Sequence, residues 1–144
     1  MSVFRDVESF MVAAGHGPDL KKVNLYLDLV REEIGELEEA MSEFHAAENA
    51  DDELQAKADA LDAICDSIWV LVGLARVMDV PVDWGWDAVA ISNHRKVDPE
   101  LGTIMRDESG KIMKPPGWKP PDMLRIIREY ESIRQGLDKP EIQE

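Results

Sequence analysis

Basic residues are scarce in this chain of 144 residues: 16 Lys and Arg stand against 30 Asp and Glu, for a formal charge of −14. Binding nucleic acid through its phosphates needs clustered Lys and Arg, so no nucleic-acid partner is expected. Cysteine is nearly absent. The lone Cys65 precludes an intrachain disulfide and fits a reducing, cytoplasmic compartment. With no His or Asn placed to activate it, Cys65 reads as a small buried core residue. No stretch of about 18 uncharged apolar residues occurs, so no membrane span is expected. Residues 1–10 carry Arg5, Asp6 and Glu8 and lack the apolar run of a signal peptide. The three histidines, His16, His45 and His94, show no paired metal spacing, and His16 and His45 read as surface or turn residues. Aromatics make up only 6% and no internal repeat is found. What remains, 44% hydrophobic and 32% charged, describes an acidic globular chain long enough to bury a core.

Helical periodicity runs through most of it. Val3, Phe4, Val7, Phe10 and Met11 predict a short first helix, stopped by Gly15-His16-Gly17-Pro18. Asp19 is placed to cap a second helix to about residue 47, along the stripe Leu20, Val23, Leu27, Val30, Ile34, Leu37 and Met41. A third helix is predicted over about 52–77. Its second half, residues 68–75, is apolar on nearly all sides, which calls for burial and for a partner subunit as cover. Pro81 suits a turn or first helical position before a fourth helix over about 83–96. Residues 97–121 then lose periodicity and collect five prolines and three glycines, with a small hairpin expected around Ser109-Gly110. Asp122 can cap a last helix ending near Gly136. The reading is an all-α bundle of four to five helices with a long Pro/Gly-rich loop before the last, one domain over 1–136 and a disordered tail over 137–144.

Carboxylates sit beside the apolar stripes of two of these helices. Glu33 and Glu36 project from neighbouring points of one helix face, and Asp59, Asp62 and Asp66 fall in a narrow sector of the next. Like charges so spaced destabilise a helix by roughly a few tenths of a kcal/mol per pair. A hard divalent cation, which prefers oxygen ligands, would turn that repulsion into coordination. Asp66, set between Ile64-Cys65 and Ile68-Trp69, is expected where an unpaired carboxylate is costly. Glu32, Glu38, Glu39 and Glu43 lie further from the stripe and read as a solvated face.

Glu33-Ile34-Gly35-Glu36-Leu37 followed by Asp66-Ser67-Ile68-Trp69-Val70-Leu71 resembles the all-α nucleoside triphosphate pyrophosphohydrolases, a superfamily of MazG-like proteins, dimeric dUTPases and phosphoribosyl-ATP pyrophosphohydrolase. Its pattern is ExxE, a spacer, then ExxD, all four acidic residues serving Mg²⁺. Glu33 and Glu36 match the first half, and Glu32 supplies the doubled Glu of many members. The second half departs, because Ala63 stands where the pattern has Glu. Asp62 is the nearest substitute, and Asp62 with Asp66 is preferred to the alternative register of Asp59 with Asp62. Ser92-Asn93-His94-Arg95-Lys96 resembles the segment the family places near the nucleotide. Asp107-Glu108-Ser109-Gly110-Lys111 through Lys114, then Trp118-Lys119-Pro120-Pro121-Asp122, resembles the tail of phage and bacterial members.

The resemblance implies a MazG-like fold, a homodimer or homotetramer, and Mg²⁺-dependent hydrolysis of an NTP or dNTP to the monophosphate and pyrophosphate, with Mn²⁺ as a substitute ion. Glu33, Glu36, Asp62 and Asp66 would hold the metal, and Glu32 or Glu33 would take a proton from water. Lys96, Lys111 and Lys114 can offer point charges to phosphate oxygens, and Arg95 a bidentate fork. Asn93, one turn before Lys96, suits a base edge or a sugar hydroxyl. Trp118 in its Pro-rich loop is the candidate to close over or stack on a base, whereas Trp69 reads as core; Trp84 and Trp86 fit either a pocket or a subunit contact. A non-catalytic nucleotide- or partner-binding module with a degenerate metal site is the alternative, and Ala63 is its support.

Overall fold

Asn49 starts the longest helix. Its side-chain oxygen accepts hydrogen bonds from the backbone N–H groups of Asp51 (3.0 Å) and Asp52 (2.9 Å), and three acidic residues in the first turn meet the positive end of the helix dipole. In this computed structural model, which describes residues 2–98 and 100–137, that helix is α3 (Ala50–Val77). Before it come α1 (Val3–Ala13) and α2 (Val23–Ala46), and after it α4 (Val82–His94) and α5 (Met123–Leu137). The described residues contain no strands, only two isolated β-bridges. The fold is an all-helical bundle of the MazG-like type. None of its described helices is long and apolar enough to cross a membrane.

The chain divides into two compact units, Met1–Val80 and Pro81–Glu144. In the first, α2 and α3 form a hairpin joined by residues 47–49, with α1 packed on α3. The hairpin seam is built from small side chains: Ala40, Ala56, Ala60 and Ala63 are all buried. Small residues let helices pack closely, and toward the other end a Cβ on Gly73 would stand 2.4 Å from Cε1 of the Tyr26 ring. Tyr26 is itself anchored. Its hydroxyl donates to Sδ of Met11 (2.8 Å) and lies 3.1 Å from Nδ1 of His16. Val7 and Met11 of α1 are fully enclosed, Phe10 meets Trp69 edge to face at 5.5 Å, and Arg76 pairs with Glu8 at 3.3 Å.

Several expectations need correction here. Asp19 does accept from the backbone N–H of Lys21, but it opens a 3₁₀ turn over Leu20–Lys22, and α2 begins only at Val23. The Asp19 N–H is held by the carbonyl of Val77 (2.9 Å), which ties the turn to the end of α3. Of the two readings of His16, surface or turn, the second holds: it lies in the connection after α1, half-buried against Tyr26. Cys65 is exposed, not core. Within 68–75, Val70, Val72, Gly73 and Ala75 are buried, but Ile68, Trp69 and Leu71 keep 38–47% of their surface, because α1 and α2 cover only two sides of α3.

In the second unit, Trp84 of α4 meets Tyr130 of α5 edge to face at 5.9 Å. Between these helices the chain turns on Asp107, whose carboxylate accepts from the Ser109 hydroxyl (2.7 Å) and the backbone N–H groups of Ser109 and Lys111. These donors, the hydroxyl foremost, hold the Asp107 carboxyl below its ordinary value. Gly110 completes the turn at φ +83°, a backbone region that side chains disfavour. Asp122 accepts from the N–H of Arg125 and so caps α5. Of the tail expected to be disordered, Leu137 ends α5 and the remainder lies outside the described residues.

The Gly73 contact gives a direct test of the hairpin. Gly73→Ala forces a methyl group into the Tyr26 ring, and overpacking of this kind costs about 1–3 kcal/mol. Urea unfolding should show a lowered midpoint at unchanged slope; an unchanged midpoint would mean the two helices do not approach this closely.

Candidate active site

The Tyr26–Gly73 contact sets the register of the hairpin. Two turns further along α2 stands Glu33, and two turns back along α3 stands Asp66. The antiparallel pairing therefore brings those two carboxylates level with one another. It also sets Glu36 level with Ala63, the residue found where the sequence pattern calls for Glu. Ala63 is buried in the seam at 3% exposure, whereas Asp62, one position away, is exposed.

Among the expected ligands Glu33 is distinct. It is half-buried, and its Oε2 is sealed from solvent with no hydrogen-bond partner. A buried carboxylate oxygen without a donor is costly, and here the surroundings add charge of the same sign. Burial raises the Glu33 carboxyl above its ordinary value of 4.5, and Glu36, Asp66, Glu32 and Asp62 each push it further in that order. All five acidic residues named from sequence thus share one electrostatic neighbourhood. Glu32, Glu36, Asp62 and Asp66 are exposed, so the apolar setting expected of Asp66 is not found; Ile64, Cys65, Ile68 and Trp69 around it are exposed as well.

Among the described residues no three His, Cys, Asp or Glu side chains stand close enough to make a ready coordination cluster. The donor set still fits a hard divalent cation: all ligand atoms are carboxylate oxygens, they repel one another, and one of them is buried with its valence unmet. Glu33 with Glu36 from α2, and Asp66 with Asp62 from α3, would hold the ion. Sequence reasoning passes over Ser67, beside Asp66, whose buried hydroxyl also lacks a partner. A lone serine inside an apolar run carries no signal of its own, and only the seam register distinguishes it.

The second unit gathers most of the residues expected at phosphate. Lys96 Nζ donates to Oδ1 of Asn93 (2.8 Å) and lies 5.4 Å from the centre of the Trp118 ring, while Lys114 Nζ lies 4.5 Å from it. Trp118 is fixed in turn, its Nε1 donating to the carbonyl of Ser92 (2.8 Å). Arg95 lines a recess of about 310 Å³ with Pro115, Pro116, Gly117, Trp118 and Lys119. Lys111 stands apart in the Asp107 turn. Ser92, which sequence reasoning does not single out, holds the loop from both sides, since its hydroxyl also donates to the carbonyl of Lys119 (3.3 Å).

An all-helical chain with an acidic seam between its two long helices belongs to the MazG-like pyrophosphohydrolases. More narrowly, the family model for phosphoribosyl-ATP pyrophosphohydrolase matches residues 13–93, and the chain belongs to that family. No curated protein matches it. The matched region takes in all of α2 and α3, every carboxylate of the seam and Asn93, and ends before Lys96 and the Trp118 loop.

The raised Glu33 carboxyl has a signed consequence. A carboxyl that holds its proton more tightly when folded contributes stability that is complete below the ordinary value of 4.5 and is lost as pH rises through the higher folded value. Glu33→Gln, which cannot ionise, should therefore be more stable than the wild type at pH 7, with the difference closing as pH falls below the ordinary carboxylate range. Parallel urea titrations across pH 4–8 would show it; a variant that is less stable at pH 7 would mean Glu33 is paired in the fold.

Proposed function

We propose that the chain is a Mg²⁺-dependent nucleoside triphosphate pyrophosphohydrolase, converting an NTP or dNTP to the monophosphate and pyrophosphate, with residues 1–136 acting as one functional domain in a cytoplasmic homodimer or homotetramer. Membership in a pyrophosphohydrolase family supports the hydrolase class. The observation that carries the reading further is the buried, unpartnered Oε2 of Glu33 inside a field of four other carboxylates.

Glu33, Glu36, Asp62 and Asp66 would bind Mg²⁺ or, in its place, Mn²⁺. When bound, the ion supplies Lewis-acid polarisation of phosphoryl oxygens and acidifies water. Glu33 is suited to a second task as well. A carboxylate whose proton affinity is raised is a better general base, and Glu33, less exposed than Glu32, has that shift. Its carboxylate would accept a proton from the attacking water as the oxygen adds to phosphorus and the pyrophosphate leaves. By the family resemblance, Lys96, which Asn93 restrains, would offer its ammonium to the leaving pyrophosphate, with Arg95 and Lys114 adding to that neutralisation. Attack at the α-phosphorus is carried over from the family resemblance. Exposed Ile68, Trp69 and Leu71 support the oligomer, since a second copy would cover them.

Ala63 favours a second reading, a non-catalytic nucleotide- or partner-binding module. It occupies the buried seam where the family pattern has a metal ligand, and among the described residues the remaining carboxylates form no ready cluster.

Two measurements separate the readings. Pyrophosphate release from a panel of NTPs and dNTPs with Mg²⁺ should be dominated by one nucleotide and fall by about 10²–10⁴-fold in Glu33→Gln, the range of a lost general base. Release from none of them would leave the binding module standing. In the second, Mg²⁺ at 100 times its dissociation constant should stabilise the wild type by about 2.7 kcal/mol and leave the Glu36→Gln/Asp66→Asn variant unchanged. Equal stabilisation of both would remove the seam as the metal site.

A further inference from the structure

The acidity of the chain is interrupted once. Residues 95–119 carry six basic side chains against four acidic ones, in a protein whose overall charge is −14. Two of the six converge on one indole. Lys96 and Lys114, far apart in sequence, both place their ammonium groups within the roughly 6 Å over which an aromatic ring attracts a cation, at 5.4 and 4.5 Å. Arg95 lines the same recess as the ring. Like-charged side chains separate unless something holds them. Here the ring supplies the attraction, and the ring cannot swing away, because its Nε1 is bonded to the Ser92 carbonyl and the next residue's carbonyl to the Ser92 hydroxyl. Lys96 is further restrained by Asn93.

We propose that Trp118 is a positioning residue: its ring gathers the ammonium groups of Lys96 and Lys114 beside Arg95 into a preformed site for a pyrophosphate-class anion. A ring already attended by two cations has this work in place of stacking on a base. Two ammonium groups and a guanidinium offer donors to several oxygens at once, which suits a diphosphate unit better than a single carboxylate. The site deepens the pyrophosphohydrolase reading by assigning the leaving group its own cradle, and to that extent rests on it.

Calorimetric titration with inorganic pyrophosphate, without nucleotide or divalent metal, tests the site apart from catalysis. Trp118→Ala should weaken binding by about tenfold, while Trp118→Phe, which keeps a ring but loses the Nε1 anchor to Ser92, should lose part of that, about three- to fivefold. In a Lys96→Ala/Lys114→Ala background, Trp118→Ala should cause no further loss, which a merely structural role for the ring would not reproduce. A wild type that takes up no pyrophosphate overturns the proposal, as does a Trp118→Phe chain that loses as much as Trp118→Ala, or an undiminished Trp118→Ala chain. The two readings fail separately. A chain that hydrolyses no nucleotide but binds pyrophosphate through Trp118 keeps the cradle, and an active hydrolase indifferent to Trp118 loses it.

Discussion

Tyr26 lies against Gly73 so closely that one added methyl group would sit 2.4 Å from its ring, and the rest of the N-terminal unit follows from that approach. A long aromatic ring facing a glycine, and alanines down the remainder of the seam, keep α2 and α3 near one another along their length. Register is then fixed by a bulky side chain that fits at only one place. Because α-helices repeat almost completely in two turns, fixing Tyr26 on Gly73 also fixes Glu33 level with Asp66. The acidic neighbourhood is a consequence of packing set two turns away from it.

That neighbourhood stores repulsion. Five carboxylates share it, the most enclosed of them has an oxygen with no donor, and no residue among those described neutralises it by hydrogen bonding. A fold selected only for stability would place an apolar or amide side chain at Glu33. Keeping a carboxylate there fits a site whose stability is exchanged for the binding of something positive. Ala63 belongs to the same account. Buried in the seam, it fits a close approach of the helices, and on the proposed reading the ligand it lacks would be offered from the neighbouring exposed position by Asp62.

Much of this was legible in the residues alone. The periodicity of Val3 to Met11 and of Val23 to Met41 gives α1 and α2, and a Pro after a polar break gives α4, since burial of an apolar stripe is a local pattern. That Glu33 and Glu36 share one helix face, and Asp59, Asp62 and Asp66 another, was legible for the same reason, since helical spacing fixes which side chains share a face; the choice of Asp62 with Asp66 rested on the family resemblance. Helix starts were harder. Asn49, not a residue of the acidic run after it, caps α3, and Asp19 caps a 3₁₀ turn because the Val77 carbonyl holds its backbone from a distance no local pattern reveals. Exposure failed where it depends on neighbours. An apolar segment signals that something covers it, but whether that cover lies in the same chain is not encoded in the segment, so Cys65, Trp69 and Asp66 were assigned more burial than they have. Nor could spacing show that Lys96 and Lys114 meet on Trp118, since the connection between them is a loop without a period.

On the proposed reading the α2–α3 seam would hold a divalent cation that draws its carboxylates together. Electron paramagnetic resonance of Mn²⁺ titrated into the wild type, and into Glu33→Gln, tests it most directly, because free Mn²⁺ gives a sharp signal that coordination by the protein broadens away. The account predicts saturable loss of the free signal with the wild type, competed by Mg²⁺, and little loss with the variant. Equal uptake by the two proteins, or none by either, would contradict it.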